Sequence, residues 1–162
     1  MGTGTHSNSG SCTYLSVGFG KFRQKNLDNR EPVGPDTPGA VLRKTNAGKE
    51  TWAIEYDYVE GLLEKIFYKE DPEYGNSFEV VIADGPLRFQ ASFKDDNRFW
   101  FDLAKKLPNV DVSIPIKLTA YDFEDKKEHK RHVGMSVEQV GVKVESFYSK
   151  KGADGKWEEL YG

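Results

Sequence analysis

From Thr51 onward apolar and polar residues alternate in short runs: TWAIEYDY, LLEKIFYK, FEVVIADG, LRFQASF, IPIKLTAYDF, HVGMSVEQ and VKVESFY. A period of two with β-branched and aromatic enrichment predicts strands, the first two runs forming one strand bent around Glu60 and Gly61. The separators suit turns: DPEYGN, the tight ADGP, and the charged stretch before HVGMSVEQ. One segment breaks the period. In KDDNRFWFDLAKKLPNV, Phe99, Leu103 and Leu107 recur at helical spacing beside Trp100 and Ala104, Asp95 or Asp96 can cap the start, and Pro108 lies just past the end.

Upstream, YLSVGFGKF (Tyr14 to Phe22) predicts an extended segment with Gly18 and Gly20 as a bulge. A linker rich in proline, glycine and polar residues follows over 26–40. Residues 1–12 have little to bury and read as a disordered leader or a cloning remnant, so a single domain is expected over 13–150, with a tail at 151–162.

Three antiparallel strands, one helix and two further strands is the element order of the OB-fold, a partly open barrel whose strand face and loops bind oligonucleotides or oligosaccharides. The expected class is therefore mainly β: an OB-fold-like five-stranded antiparallel barrel with one helix between strands 3 and 4, plus additional terminal strands. A lipocalin-like barrel would place its helix after all the strands, and a jelly roll needs none at this point.

The apolar phase assigns the faces. Ile114, Ile116, Leu118 and Ala120 point inward, leaving Lys117, Thr119, Tyr121 and Phe123 outside. Leu62, Ile66 and Tyr68 oppose a row of Leu63, Lys65, Phe67 and Lys69, and Leu87, Phe89, Ala91 and Phe93 oppose Arg88, Gln90 and Ser92. Rings interleaved with cations suit single-stranded nucleic acid, because unpaired bases stack on rings while Lys and Arg follow the phosphates. Trp52 and Tyr56 share the phase of Ile54, so core packing is their first reading and base stacking their second. The bland alternative for Phe67, Tyr121 and Phe123 is a second small core beneath a terminal strand.

The stretch EDKKEHKRHVG (Glu124 to Gly134) concentrates charge on a chain whose net charge is −3. Its tip carries Lys126, Lys127, Lys130 and Arg131 against Glu128, with His132 beside them, and reads as an electrostatic grip on phosphates or as a solvated hairpin tip. A metal site from His129 and His132 with Asp125 or Glu128 is disfavoured by the surrounding cations.

Other chemistry lacks support. The chain has no GxSxG elbow, no phosphate-binding GxxxxGK[ST] loop and no GxGxxG before a helix, so neither an enzyme nor a cofactor is expected. A single cysteine, Cys12 in the leader, allows no internal disulfide. Without a signal-like start or a membrane-length apolar run, a soluble cytoplasmic protein is expected.

The opening YLSVGFGKF, the phrase EYGNSFEVVIADG, the helix exit LAKKLPNVDVSIPIKLTAY and the final VESFYSK resemble bacteriophage-type OB-fold single-stranded DNA-binding proteins over about Tyr14 to Lys150. The resemblance implies a non-catalytic protein that coats single strands in phage replication or recombination, in the host cytoplasm, alongside replication or recombination proteins. Two features depart from that family: the ending ADGKWEELYG is less acidic than the family's partner-recruiting tails, and the 26–40 linker has no counterpart. DNA is not distinguished from RNA, and an exposed edge strand offers a surface for a homodimer. The alternative is a non-catalytic β-barrel module for carbohydrate or protein, for example a virion component, since aromatics also suit sugars.

Overall fold

The structure, a computed structural model, describes residues 12–147 and the backbone of 149–151 and 157–159. The strands are β1 (Cys12–Gly18), β2 (Lys21–Gln24), β3 (Ala40–Lys44), β4 (Glu50–Tyr56), β5 (Tyr58–Lys69), β6 (Ser77–Asp84), β7 (Leu87–Lys94), β8 (Ile116–Asp125), β9 (Lys130–Gln139) and β10 (Val142–Lys143), with helix α1 (Arg98–Lys106) between β7 and β8. They form one sheet in the order β10-β9-β8-β5-β6-β7-β1-β2-β4-β3; β11 (Ser149–Lys151) and β12 (Trp157–Glu159) make a separate pair. The fold is mainly β, but the sheet does not close, which corrects the expected five-stranded barrel. The rest of the expected leader and tail lies outside the described residues.

Two devices keep the sheet open. The β1–β2 hairpin adds to the edge of β7, with β1 parallel to it, and carries β4 and β3 beyond. At the other end, side chains of α1 occupy the backbone of β9. Met135 donates its N–H to Asp102 Oδ2 at 2.8 Å, and its carbonyl accepts from Lys106 Nζ at 2.7 Å. Val144 N–H bonds to the Val137 carbonyl at 2.7 Å, and β10 pairs with Gln139 and Glu138. An edge so capped does not recruit a further strand.

Strand β5 is shared between two neighbours. Its first residues pair with β8, from Tyr58 opposite Thr119 to Gly61 opposite Ile116, and its later residues pair with β6. Gly61 sits at the changeover, where a Cβ would run into the Ala83 carbonyl. Close backbone approach therefore requires glycine here.

The core lies between one face of the sheet and α1. Phe22, Phe93, Ile82, Leu103, Ile116, Leu118, Met135, Val80 and Val137 are fully buried, each large apolar side chain contributing about 1.5–3 kcal/mol. Trp100 of α1 stacks on Phe78 with centroids 4.2 Å apart and planes 10° off parallel. Asn97, rather than Asp95 or Asp96, caps the helix, its Oδ1 accepting from Phe99 N at 2.7 Å. Lys105 and Lys106 occupy the last turn, where the helix dipole favours cations.

The N-terminal third differs most from expectation. Phe19 and Gly20, both at positive φ (57° and 71°), form a two-residue hairpin turn, so YLSVGFGKF is two strands and not one bulged strand. Cys12 is the first residue of β1, opposite Arg88, and not part of a loose leader. The 26–40 linker is tied back by Val33 N–H to the Lys25 carbonyl at 2.9 Å and by an Asn26–Pro32 bridge, and its last residue opens β3. In β4 the buried row is Ala53 and Glu55, whereas Trp52 is half-buried and Tyr56 is 38% exposed, the reverse of the expected phase. The chain breaks at Asp57 rather than bending around Glu60 and Gly61, so β4 pairs with β2 and β3 and turns its Ala53 and Glu55 face toward Arg23.

Candidate nucleic-acid interface

Pairing registers place Lys65, Phe67 and Lys69 on the outward face of β5, in line with Gln90 of β7 and Tyr14 of β1. A register shift between Leu63 and Lys65 produces this. It turns Leu63 to the core side with Ile66 and Tyr68, while Leu62 becomes exposed, so the expected row of Leu63 with Lys65 is corrected by a bulge. Lys65 Nζ lies 4.8 Å above the Phe67 ring, a cation–π contact.

This face is less free than its composition suggests. Arg88 is paired to Glu64 at 2.6 Å and donates to the Gly85 carbonyl at 2.9 Å. Gln90 donates to Glu79 Oε1 at 3.1 Å, and the Ser77 hydroxyl donates to Glu79 Oε2 at 3.0 Å. Glu79 is thus a buried carboxylate opposite Phe67, and a carboxylate there opposes phosphate. Tyr14, 64% exposed, and Lys94 belong to the same face and were missed. Tyr14 alternates with inward Leu15 and Val17 and was legible on that ground.

The β8–β9 hairpin forms a second group. Tyr121 is opposite Gly134 and Phe123 opposite His132. Because Gly134 has no Cβ, the Tyr121 ring crosses it and its hydroxyl donates to Asp102 Oδ2 at 3.3 Å; any Cβ at 134 would collide with both groups. Burial foremost, then the Asp102 charge and hydrogen bond, pushes the Tyr121 hydroxyl pKa up. Tyr121 is therefore a fixed wall. Phe123 is 55% exposed and lies 5.1 Å from the His132 ring at an interplanar angle of 30°.

At the tip, Lys126, Lys127 and Lys130 are exposed. Arg131 is committed elsewhere: it grips Asp122 through Nε–Oδ1 at 2.8 Å and Nη2–Oδ2 at 2.6 Å. The Arg131 hydrogen bonds hold the Asp122 carboxyl below the usual carboxylate range. Lys117 lies 4.4 Å over the Tyr58 ring, on the outer face where β8 meets β5.

The fifteen expected residues thus fall into separate groups. From the Tyr58–Thr119 pair, β5 runs one way to Phe67 and β8 runs the other way to Phe123. Trp52 and Tyr56 join neither: they lie on the opposite face of the sheet from Lys65, and the Tyr56 hydroxyl donates to Gln24 Oε1 at 2.8 Å. Among the described residues no helix is long and apolar enough to cross a membrane, and no three His, Cys, Asp or Glu side chains gather as metal ligands. No protein-family model, no curated protein and no solved structure matches this chain.

Proposed function

We propose that the chain binds single-stranded nucleic acid without strong sequence preference, DNA first, and that β5 to β9 with α1 are an OB-related unit whose barrel is left open. The observation that carries the reading is the β8–β9 hairpin: an exposed Phe123 against His132 at the root of a turn bearing exposed Lys126, Lys127 and Lys130. A ring for bases and mobile ammonium groups for phosphates within one hairpin is what sequence-tolerant binding requires. The β5 row of Lys65, Phe67 and Lys69 extends the surface. The resemblance to phage proteins supports a role in coating single strands during replication or recombination, without catalysis, in a bacterial host cytoplasm, with a homodimer and replication or recombination proteins as candidate partners.

Fluorescence anisotropy of labelled oligo(dT) tests the reading. With three or four phosphates neutralised, affinity falls roughly 20- to 50-fold between 50 and 200 mM salt. No complex at 50 mM salt overturns it.

A second reading rests on a different cleft. Tyr56, Tyr58 and Leu62 surround an opening of about 460 Å³ rimmed by Glu60 and Asp84. Rings with carboxylates suit a sugar better than a polyanion. Retention on a glycan array, uncompeted by oligo(dT), would favour a carbohydrate-binding module, and capture of a virion protein would favour a protein-binding one.

A further inference from the structure

The outer faces of β8 and β9, the end of α1 and the chain leaving β10 enclose a groove of about 570 Å³. We propose that this groove holds one unpaired nucleobase together with its phosphate, an inference that rests on the single-strand reading above. Its volume lies within the range of small-molecule sites, about 300–1,000 Å³.

One wall is aromatic. Phe123 and His132 lie 5.1 Å apart, and Tyr121 lies 6.0 Å from Phe123. The Tyr121 ring lies across Gly134, in space that a Cβ would fill, and its hydroxyl donates to Asp102 at 3.3 Å, which holds the ring in this position. The facing wall includes Val144, held in place by its N–H bond to the Val137 carbonyl. A planar ring entering between these walls meets surfaces already ordered, which lowers the entropic cost of binding.

Two ammonium groups flank the aromatic wall. Lys106 lines the groove, its ammonium fixed by Asp102 at 3.0 Å and the Met135 carbonyl at 2.7 Å, and Lys143 lines it from the exposed β10. Lys106 is balanced by Asp102 and Lys143 stands against Glu145, so the groove is close to neutral, unlike the cleft rimmed by Glu60 and Asp84. An aromatic slot with flanking ammonium groups fits a nucleotide.

The full chain, irradiated with a dT oligonucleotide carrying one 5-iodouracil, gives adducts that peptide mass spectrometry locates. The expected adduct is on Tyr121, Phe123 or His132. Filling the groove with Val144→Trp removes it and weakens binding roughly 5- to 150-fold, the loss of one stacked base. Phe123→Ala, at an exposed ring, gives the same affinity readout if the tryptophan variant does not fold. Adducts confined to Phe67 and Tyr14, with Phe123→Ala binding unchanged, overturn the groove while single-strand binding stands. Absence of any complex at 50 mM salt overturns both.

Discussion

The Asp102 carboxylate, on the middle turn of α1, accepts the Met135 N–H of β9 at 2.8 Å. The same oxygen accepts from Lys106 and from the Tyr121 hydroxyl, so one side chain caps a sheet edge, anchors the helix and fixes an aromatic ring.

Asp102→Ala leaves those three donors without this acceptor. Each neutral donor left unsatisfied costs about 1–3 kcal/mol. Urea unfolding is expected to show a loss in that range or above, and amide exchange at Met135 to accelerate more than at Leu118 in the core. Unchanged exchange at Met135 would mean that the edge is held by something other than Asp102.

Gly61→Ala tests the changeover in β5. The new methyl meets backbone at Ala83, which cannot rotate away as a side chain does. Overpacking of this kind costs about 1–3 kcal/mol, and the expected readout is a lowered denaturation midpoint with an unchanged slope. A midpoint equal to that of the parent would show that β5 and β6 can separate freely at this point.

Much of this architecture was legible in the alternation, and the exceptions share a cause. The strands β6 to β9 and helix α1 lie where expected because each has one face against a common core, so burial selects a single phase. The phase misled at Leu63, where one bulge residue reverses the row, and at Trp52, where a buried ion network rather than apolar packing decides which face is covered. Strand β3 escaped because AVLRK follows a glycine-rich turn and pairs only with β4. Among site residues, the cation–ring alternation of Lys65 and Phe67 was readable. Their neighbours Arg88 and Gln90 were also placed outward, yet their pairing with Glu64 and Glu79 depends on cross-strand register, which composition does not encode.

The ion network on β4 predicts an acid-sensitive flank. Glu55 accepts from Arg43 Nη2 at 2.8 Å and Arg23 Nε at 3.0 Å, and Arg23 is almost wholly buried. The Arg43 hydrogen bonds foremost hold the Glu55 carboxyl below its ordinary value, against the opposing effect of burial. Because the folded value is the lower one, the stabilisation is present above the ordinary carboxylate range and is lost as pH falls through the depressed value. Glu55→Gln removes the charge that Arg23 needs, and losing one partner of a buried pair costs about 3–5 kcal/mol. Stability of parent and variant, measured by urea at a series of pH values from 7 downward, should differ strongly at pH 7 and by less as the pH falls below the ordinary carboxylate range. A constant difference would assign the cost to packing rather than to charge.

The charged hairpin separates two kinds of cation. Lys126, Lys127 and Lys130 are exposed ammonium groups, whereas Arg131 spends the Nε–Nη2 edge of its guanidinium on both oxygens of Asp122. Converting the three lysines to glutamine removes up to three phosphate contacts, so the slope of log affinity against log salt should flatten by about 2. Folding stability should hardly move, since exposed lysines have little packing to lose. Arg131→Gln should act in the opposite way. It frees the Asp122 carboxylate, whose pKa then rises toward the ordinary value, and loosens the hairpin root while leaving the salt slope nearly as it was. Anisotropy with oligo(dT) at several salt concentrations, paired with thermal unfolding of each variant, separates the two effects. A salt slope unchanged in the triple lysine variant would make the tip a solvated turn and remove the hairpin from the binding surface.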